Sequence, residues 1–259
     1  MKNQLSAYLW GYQNIEAGEK SVETFKKFYP DSDLFLTVDV GGDIDGYTKI
    51  SNKYNGSIRT NSIKVGRCGI FGDYSNSNPS GDENFRTHWP KEIAFEWLNG
   101  IYDACLRTTS KYMIILEEDV FILKPISILN DEFGASIVTT NNPIPSVILN
   151  FIKSLGGNTT DNKYGCCGGC IINVSEFIRS WETHKNSLWY NYDSLLESTK
   201  LIGWSDCVLQ VIMQMGGCTI VDNLQIVEPW MQEFGWINDD WRNYEIINYL
   251  KDIEEIRKL

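Results

Sequence analysis

Histidine is nearly missing from this chain: His88 and His184 are the only two in 259 residues, and their spacing is not that of zinc-finger ligands. A zinc site built on Cys167-x-x-Cys170 therefore lacks the rest of its usual four ligands. Positive charge is short as well, with 23 Lys and Arg against 34 Asp and Glu and a formal net charge of −11. That deficit argues against a nucleic acid or an anionic membrane as partner, since both need cations to neutralise phosphates. Nowhere do about 18 apolar residues run together, so no membrane span is expected. The opening "MKNQLSAYLWGYQN" has no apolar stretch of signal-peptide length, which points to a cytoplasmic protein. Seven cysteines, an odd number scattered along the chain, fit reduced thiols rather than a disulfide framework. The sequons at Asn55, Asn158 and Asn173 then carry little meaning. Also lacking, after the first apolar segment, is the tight glycine spacing of a phosphate-binding loop: "LWGYQNIEAGEK" does not provide it.

What is present is an alternation of strand and helix patterns. Leu5 to Trp10 reads as a first strand, and residues 15–29 as a helix carrying Val22 and Phe25 on one face and ended by Pro30. Residues 33–40 form a second strand broken at Gly41-Gly42, and this strand, helix and strand predict a βαβ unit with a parallel sheet. "NGSIRTNSIKV" predicts a third strand ending near Val65. The polar, aperiodic stretch 71–89 reads as a long loop, either functional, as a lid over a ligand would be, or disordered, and Pro90 opens a helix with Ile93 or Ala94, Trp97, Ile101 and Cys105 at helical spacing. That helix feeds a strand over 112–116. Further on come a strand at 135–139, a helix at 146–155, and "GGCIINVSEFIRSWE" as strand then helix with Ser175 as cap. "WSDCVLQVIMQMGG" predicts a helix capped by Ser205 and closed by Gly216, followed by the strand "CTIVD". An amphipathic helix through Ile246, Leu250, Ile253 and Ile256 is expected over 243–259. No repeat and no linker divides the chain, so a single α/β domain over 1–259 is expected.

Three consecutive acids, Glu117, Glu118 and Asp119, end the apolar run "YMIIL". Adjacent carboxylates repel, and burial forces some to take up protons unless a cation relieves them. In an extended chain Glu117 and Asp119 share a side and Glu118 points away. The acids also fall at the carboxyl end of a strand, where open α/β sheets bind ligands, and Asp39 ends the second strand on the same edge. An acidic surface turn is the plain alternative.

The order of strand, helix, strand ending in "TVDVGGD", long helix and "KYMIILEEDVFI" resembles the nucleotide-sugar half of GT-A fold glycosyltransferases, whose DXD motif ends such a strand. The resemblance spans about residues 5–222. It implies a Rossmann-like, mostly parallel central sheet flanked by helices, with residues 1–125 as the nucleotide-sugar half and 126–259 as the acceptor half with a C-terminal helix. It implies a nucleoside diphosphate sugar, UDP-linked by expectation, as donor, and a glycan or other hydroxyl acceptor. Asp119 and Glu117 fill the DXD positions and would bind Mn²⁺ or Mg²⁺. Glu stands where Asp is usual at the first of them. Trp10, Gly11, Tyr12, Asp39, Glu117 and Glu118 are assigned to the nucleotide sugar.

In the second half the likeness places Asp206, at the start of "SDCVLQVIMQM", as the general base of an inverting transfer, a helix-dipole role being the alternative. Gly168 and Gly169 lie in the strand that approaches the sugar, and Trp204 beside Asp206 is assigned to the acceptor. The late metal-binding His of many such enzymes is missing, leaving His88, Glu228 or Glu233 to complete a metal site. Two other functions fit parts of the pattern: a sugar nucleotidyltransferase, and a non-catalytic carbohydrate-binding protein that retains the fold.

Overall fold

The computed structural model describes residues 4–65, 88–137, 144–157, 166, 168–233, 235, 237–248 and 250–259. Along it run β1 (Leu5–Gly11), α1 (Ile15–Phe28), β2 (Leu34–Val38), α2 (Ile44–Lys53), β3 (Ser57–Thr60), α3 (Lys91–Arg107), β4 (Tyr112–Glu117) and β5 (Phe121–Ile122). They are followed by β6 (Ala135–Ile137), α4 (Ser146–Ser154), β7 (Ile171–Asn173), α5 (Val174–Thr199) and α6 (Ser205–Met215). The chain ends with β8 (Ile220–Asp222), β9 (Ile226–Val227), α7 (Pro229–Glu233), β10 (Ile246–Ile247) and α8 (Ile253–Lys258).

β1 and β4 are buried on both faces, as parallel strands covered by helices must be. Their side chains alternate between two cores. Tyr8, Trp10, Met113 and Ile115 join α3, α5 and α6 on one face, while Leu5, Ala7, Leu9, Ile114 and Leu116 join α1 and α2 on the other. The main sheet runs in the order β3-β2-β1-β4-β7-β6-β8. β3, β2, β1 and β4 are mutually parallel, β7 is antiparallel to both β4 and β6, and β8 is parallel to β6. The fold is thus mixed α/β with a mostly parallel central sheet flanked by helices. A small second sheet orders β5-β10-β9. The chain leaves β1 toward β2 on one side and returns to β4 on the other, so the carboxyl ends of β1 and β4 frame a crevice at the topological switch point.

Several boundaries differ from the sequence expectation. The C-terminal helix is only α8; Ile246 and Ile247 form β10 instead, antiparallel to Phe121 and Ile122 and parallel to Ile226 and Val227. Both side chains are buried, and the pairing partners lie far away in sequence, so local helical spacing loses to tertiary hydrogen bonds. α2 was not foreseen. The third strand stops at Thr60, short of Val65. The α5 cap is Asn173, which accepts from the Glu176 amide, rather than Ser175. α6 takes Trp204 at its N-cap, and Ser205 is already helical. Gly216 does close α6. The stretch 71–89, apart from His88 and Trp89, lies outside the described residues, as do Asn158, Cys167, Trp236 and the side chain of Trp230.

Candidate active site

The β1–α1 turn, which carries Gly11 and Tyr12, is fixed by Glu118. The Glu118 carboxylate accepts from the Tyr12 amide at 2.6 Å, the Asn14 amide at 3.1 Å and the Tyr47 hydroxyl at 2.5 Å. It is 6% exposed, so these neutral donors replace water around a buried charge. Tyr47, from α2, needs the space that a side chain on Gly11 would fill: a Cβ there falls 2.2 Å from its ring. The part of Glu118 is therefore to hold the turn. Trp10 is buried and meets Trp89 edge-on at 5.8 Å. Tyr12 stays half-buried at the crevice, with the Lys64 ammonium donating to its hydroxyl at 2.6 Å and lying 4.4 Å from its ring centre.

Asp39 has no exposed surface. Its Oδ1 accepts from Asn61 Nδ2 at 2.7 Å and from the Val65 amide at 3.3 Å. This arrangement corrects the expectation of a carboxylate open to the nucleotide: Asp39 organises residues 61–65 and thereby places Lys64 over Tyr12.

Glu117 lies beside Trp10 in the β1–β4 register. Asp119, 4% exposed, ion-pairs through Oδ2 with the ammonium of Lys251, and its carbonyl accepts from the Leu250 amide at 3.2 Å. A divalent cation wants several oxygen ligands and no cation against them. Among the described residues no group of three His, Cys, Asp or Glu is arranged to hold a metal, and the carboxylate assigned to it already faces an ammonium. As arranged, the described residues do not fit the expected Mn²⁺ or Mg²⁺ site. His88 does not complete such a site either: it packs against Gly203, and burial and the Lys200 charge lower its pKa. Glu233 is exposed on α7, and Glu228 accepts from Asn248 Nδ2 at 2.8 Å.

Asp206 sits at the second residue of α6, its Oδ1 accepting from the Ser205 hydroxyl at 3.0 Å. Burial of the carboxyl, and then the charge of Glu117, push its pKa up to about 7; the Ser205 hydrogen bond opposes the rise, and Glu228 adds a smaller push. Glu117 and Glu228 are thus the charged neighbours of Asp206. A carboxylate titrating near neutrality is what proton transfer at physiological pH requires. Trp204, half-buried on the α3/α5/α6 core, leads into α6 beside it.

Gly168 and Gly169 are demanded by the protein's own packing. A Cβ at Gly168 would fall 2.6 Å from Val120 and 2.7 Å from Asn248, and one at Gly169 would fall 2.7 Å from Ile246. Gly169 also has φ +86°, which L side chains rarely adopt. Cys170 is fully buried, and burial together with the neighbouring Cys166 raises its thiol well above the ordinary value. That environment suits packing, not thiolate or redox chemistry. The residues that sequence reasoning passed over are Tyr47, Lys64, Asn248 and Lys251. Tyr47 had a faint signal in the glycines at 11 and 18, both of which its ring fills; the other three had none.

No family model matches the sequence, and no curated protein does. Solved structures match in fold. The galactosyltransferase LgtC, in complex with donor and acceptor sugar analogues, is similar over 95% of this chain and 87% of its own, with a TM-score of 0.51 and 11% identity. An active-site mutant of LgtC gives the same TM-score, 0.51, at 11% identity over 95% of this chain and 88% of its own. The glycosyltransferase GlyE of Streptococcus pneumoniae TIGR4 matches 95% of this chain and 55% of its own at 11% identity, with a TM-score of 0.49. At such identity the likeness establishes the fold, which is GT-A-like. Among the described residues no helix is long and apolar enough to cross a membrane.

Proposed function

We propose that the protein is a glycosyltransferase that moves a sugar from a nucleoside diphosphate sugar, UDP-linked, to a hydroxyl of a glycan or other acceptor. The observation that carries this reading is the meeting, at the switch-point crevice, of the β1–α1 turn with a neutral-range carboxylate. Gly11 ends β1 and Tyr12 follows it, Glu117 ends the adjacent strand with Asp119 just beyond it, and Asp206 lies near enough to Glu117 to feel its charge. LgtC, with a like fold, was solved with donor and acceptor sugar analogues, and this supports the same two-substrate use of the crevice.

In the proposed reaction the acceptor oxygen attacks the anomeric carbon. The bond from that carbon to the diphosphate oxygen breaks, the diphosphate leaves with the electron pair, and Asp206 takes the hydroxyl proton. Tyr12 and the turn fixed by Glu118 bind the nucleotide. Trp204 offers an apolar face beside the base. The anomeric centre inverts.

The test is calorimetry with UDP followed by a panel of UDP-sugars and hydroxyl acceptors, with product configuration read by proton NMR. UDP binding, UDP release on transfer and an inverted product are expected. UDP binding without transfer or donor hydrolysis across the panel leaves the binding-protein alternative, and a retained product removes Asp206 as the base.

A further inference from the structure

A diphosphate brings negative charge to a crevice that already gathers carboxylates. Glu117, Asp119, Asp206 and Glu228 surround it in a chain of net charge −11, so bulk electrostatics repel the donor that the transferase reading requires. Something local has to reverse that sign.

Lys251 stands where this reversal is needed. Its ammonium pairs with Asp119 Oδ2 at the end of β4, and the two side chains differ sharply in exposure: 40% for Lys251 and 6% for Asp119. The lysine is thus the solvent-facing member of the pair. Nor is it a loose tail residue. The Leu250 amide donates to the Asp119 carbonyl at 3.2 Å, the Asn248 amide donates to the Val227 carbonyl at 2.9 Å, and β10 is paired on both sides. These contacts fix the backbone that leads into Lys251, so its ammonium is presented from a held position.

We infer that Lys251 supplies the positive charge that receives the donor's diphosphate, in the place where a metal-dependent enzyme of this fold would use a divalent cation, and that nucleotide binding here is independent of such a cation. The inference rests on the transferase reading above. Asp119 is then a positioning residue, which orients the ammonium. An ammonium is a compact charge with three donors in tetrahedral directions, a geometry suited to holding a carboxylate and phosphate oxygens together. A divalent cation bonded to Asp119 would sit against this ammonium, and the mutual repulsion disfavours having both.

Calorimetric titration of the full chain with UDP separates the possibilities, comparing buffer containing EDTA with buffer containing Mn²⁺. In wild type we expect binding in EDTA with a Kd that changes less than about twofold on adding Mn²⁺. Lys251→Ala should weaken UDP binding at least about tenfold in both buffers, since it removes the ammonium proposed to receive the diphosphate and leaves the Asp119 carboxylate facing it. Lys251→Arg, which keeps the charge, should stay within about threefold and shows that loss in the alanine variant is not misfolding; circular dichroism melts check both. UDP binding that appears only with Mn²⁺, or a Kd unmoved by Lys251→Ala, overturns the inference and leaves the transferase reading standing. Failure of wild type to bind UDP in either buffer overturns the transferase reading and the inference with it.

Discussion

The chain before residue 118 and the chain after it reach the same crevice by different means. The first part does so through regular parallel strands, β1, β2 and β4, whose carboxyl ends are brought level by backbone register. The second part does so through fragments: a two-residue strand, β10, a glycine pair wedged against it, and the first turn of α6. Neighbouring acids show the contrast best. Glu118 is satisfied by neutral donors of the first part, two amides and a phenol, whereas Asp119 is satisfied by a cation from the end of the second. Regular structure thus builds the floor of the site, and irregular, long-range contacts bring its charge.

Four changes break or sharpen this comparison. The largest effect is expected for Asp206→Asn, which should lower transfer by about a thousandfold while leaving UDP affinity within about threefold, because a general base supplies roughly 10²–10⁴ in rate. Single-turnover assays beside calorimetry check the split. In the wild type the same group sets a pH dependence. Its folded pKa, about 7, lies above that of an ordinary Asp, so kcat/KM should rise with pH up to about 7 and then level. The sign for stability is opposite. Asp206 favours the fold when protonated, and its contribution should be full below about pH 4 and lost as the pH rises through about 7. Denaturant midpoints measured across that range read this directly.

Next comes Glu118→Ala, which strands the Tyr12 and Asn14 amides and the Tyr47 hydroxyl in a buried place and should cost about 3 kcal/mol. If the turn is held as described, UDP affinity falls with it; unchanged urea stability would mean that the first region does not depend on this anchor. In the second region Gly169→Ala adds a Cβ 2.7 Å from Ile246 at φ +86°, and about 2 kcal/mol is expected from overpacking and backbone strain. That substitution should loosen β10, raising amide exchange at Ile246 and Asn248 more than in β1. The smallest effect is expected from Asp252→Ala, which removes the side chain that caps α8 through the Glu254 and Glu255 amides and should cost about 1 kcal/mol. A thermal melt with UDP-binding data shows whether the α8 cap acts on Lys251 or only on the helix end.

Much of the first region was legible in residue order. Apolar runs that alternate with amphipathic helices gave β1, α1, β2, α3 and β4 to within a few residues, and the acids at the end of β4 lie at the expected sheet edge. Asp206 was equally visible as an acid opening a helix. The roles within the cluster were less so. Asp39 was read as open to a nucleotide and is instead buried against Asn61 and Val65, since a polar residue at a strand end looks the same whether a ligand or a loop covers it. The segment 243–259 was read as one helix because Ile246, Leu250, Ile253 and Ile256 fit a helical stripe. Its first half became β10 because β5 and β9 offered it ladder hydrogen bonds from more than a hundred and about twenty residues away.

By itself the sequence determined the class of fold, the direction of the main strands and the gathering of acids at one edge, because periodicity and strand polarity are local properties. It also set the sign of the electrostatic problem, an acidic chain with acids at its crevice. Only the tertiary structure decided which acid faces which partner. Glu118 is given to a turn, Asp119 to Lys251, and Asp206 to the desolvated neighbourhood of Glu117, since a carboxylate's protonation and reach depend on what other parts of the chain fold against it.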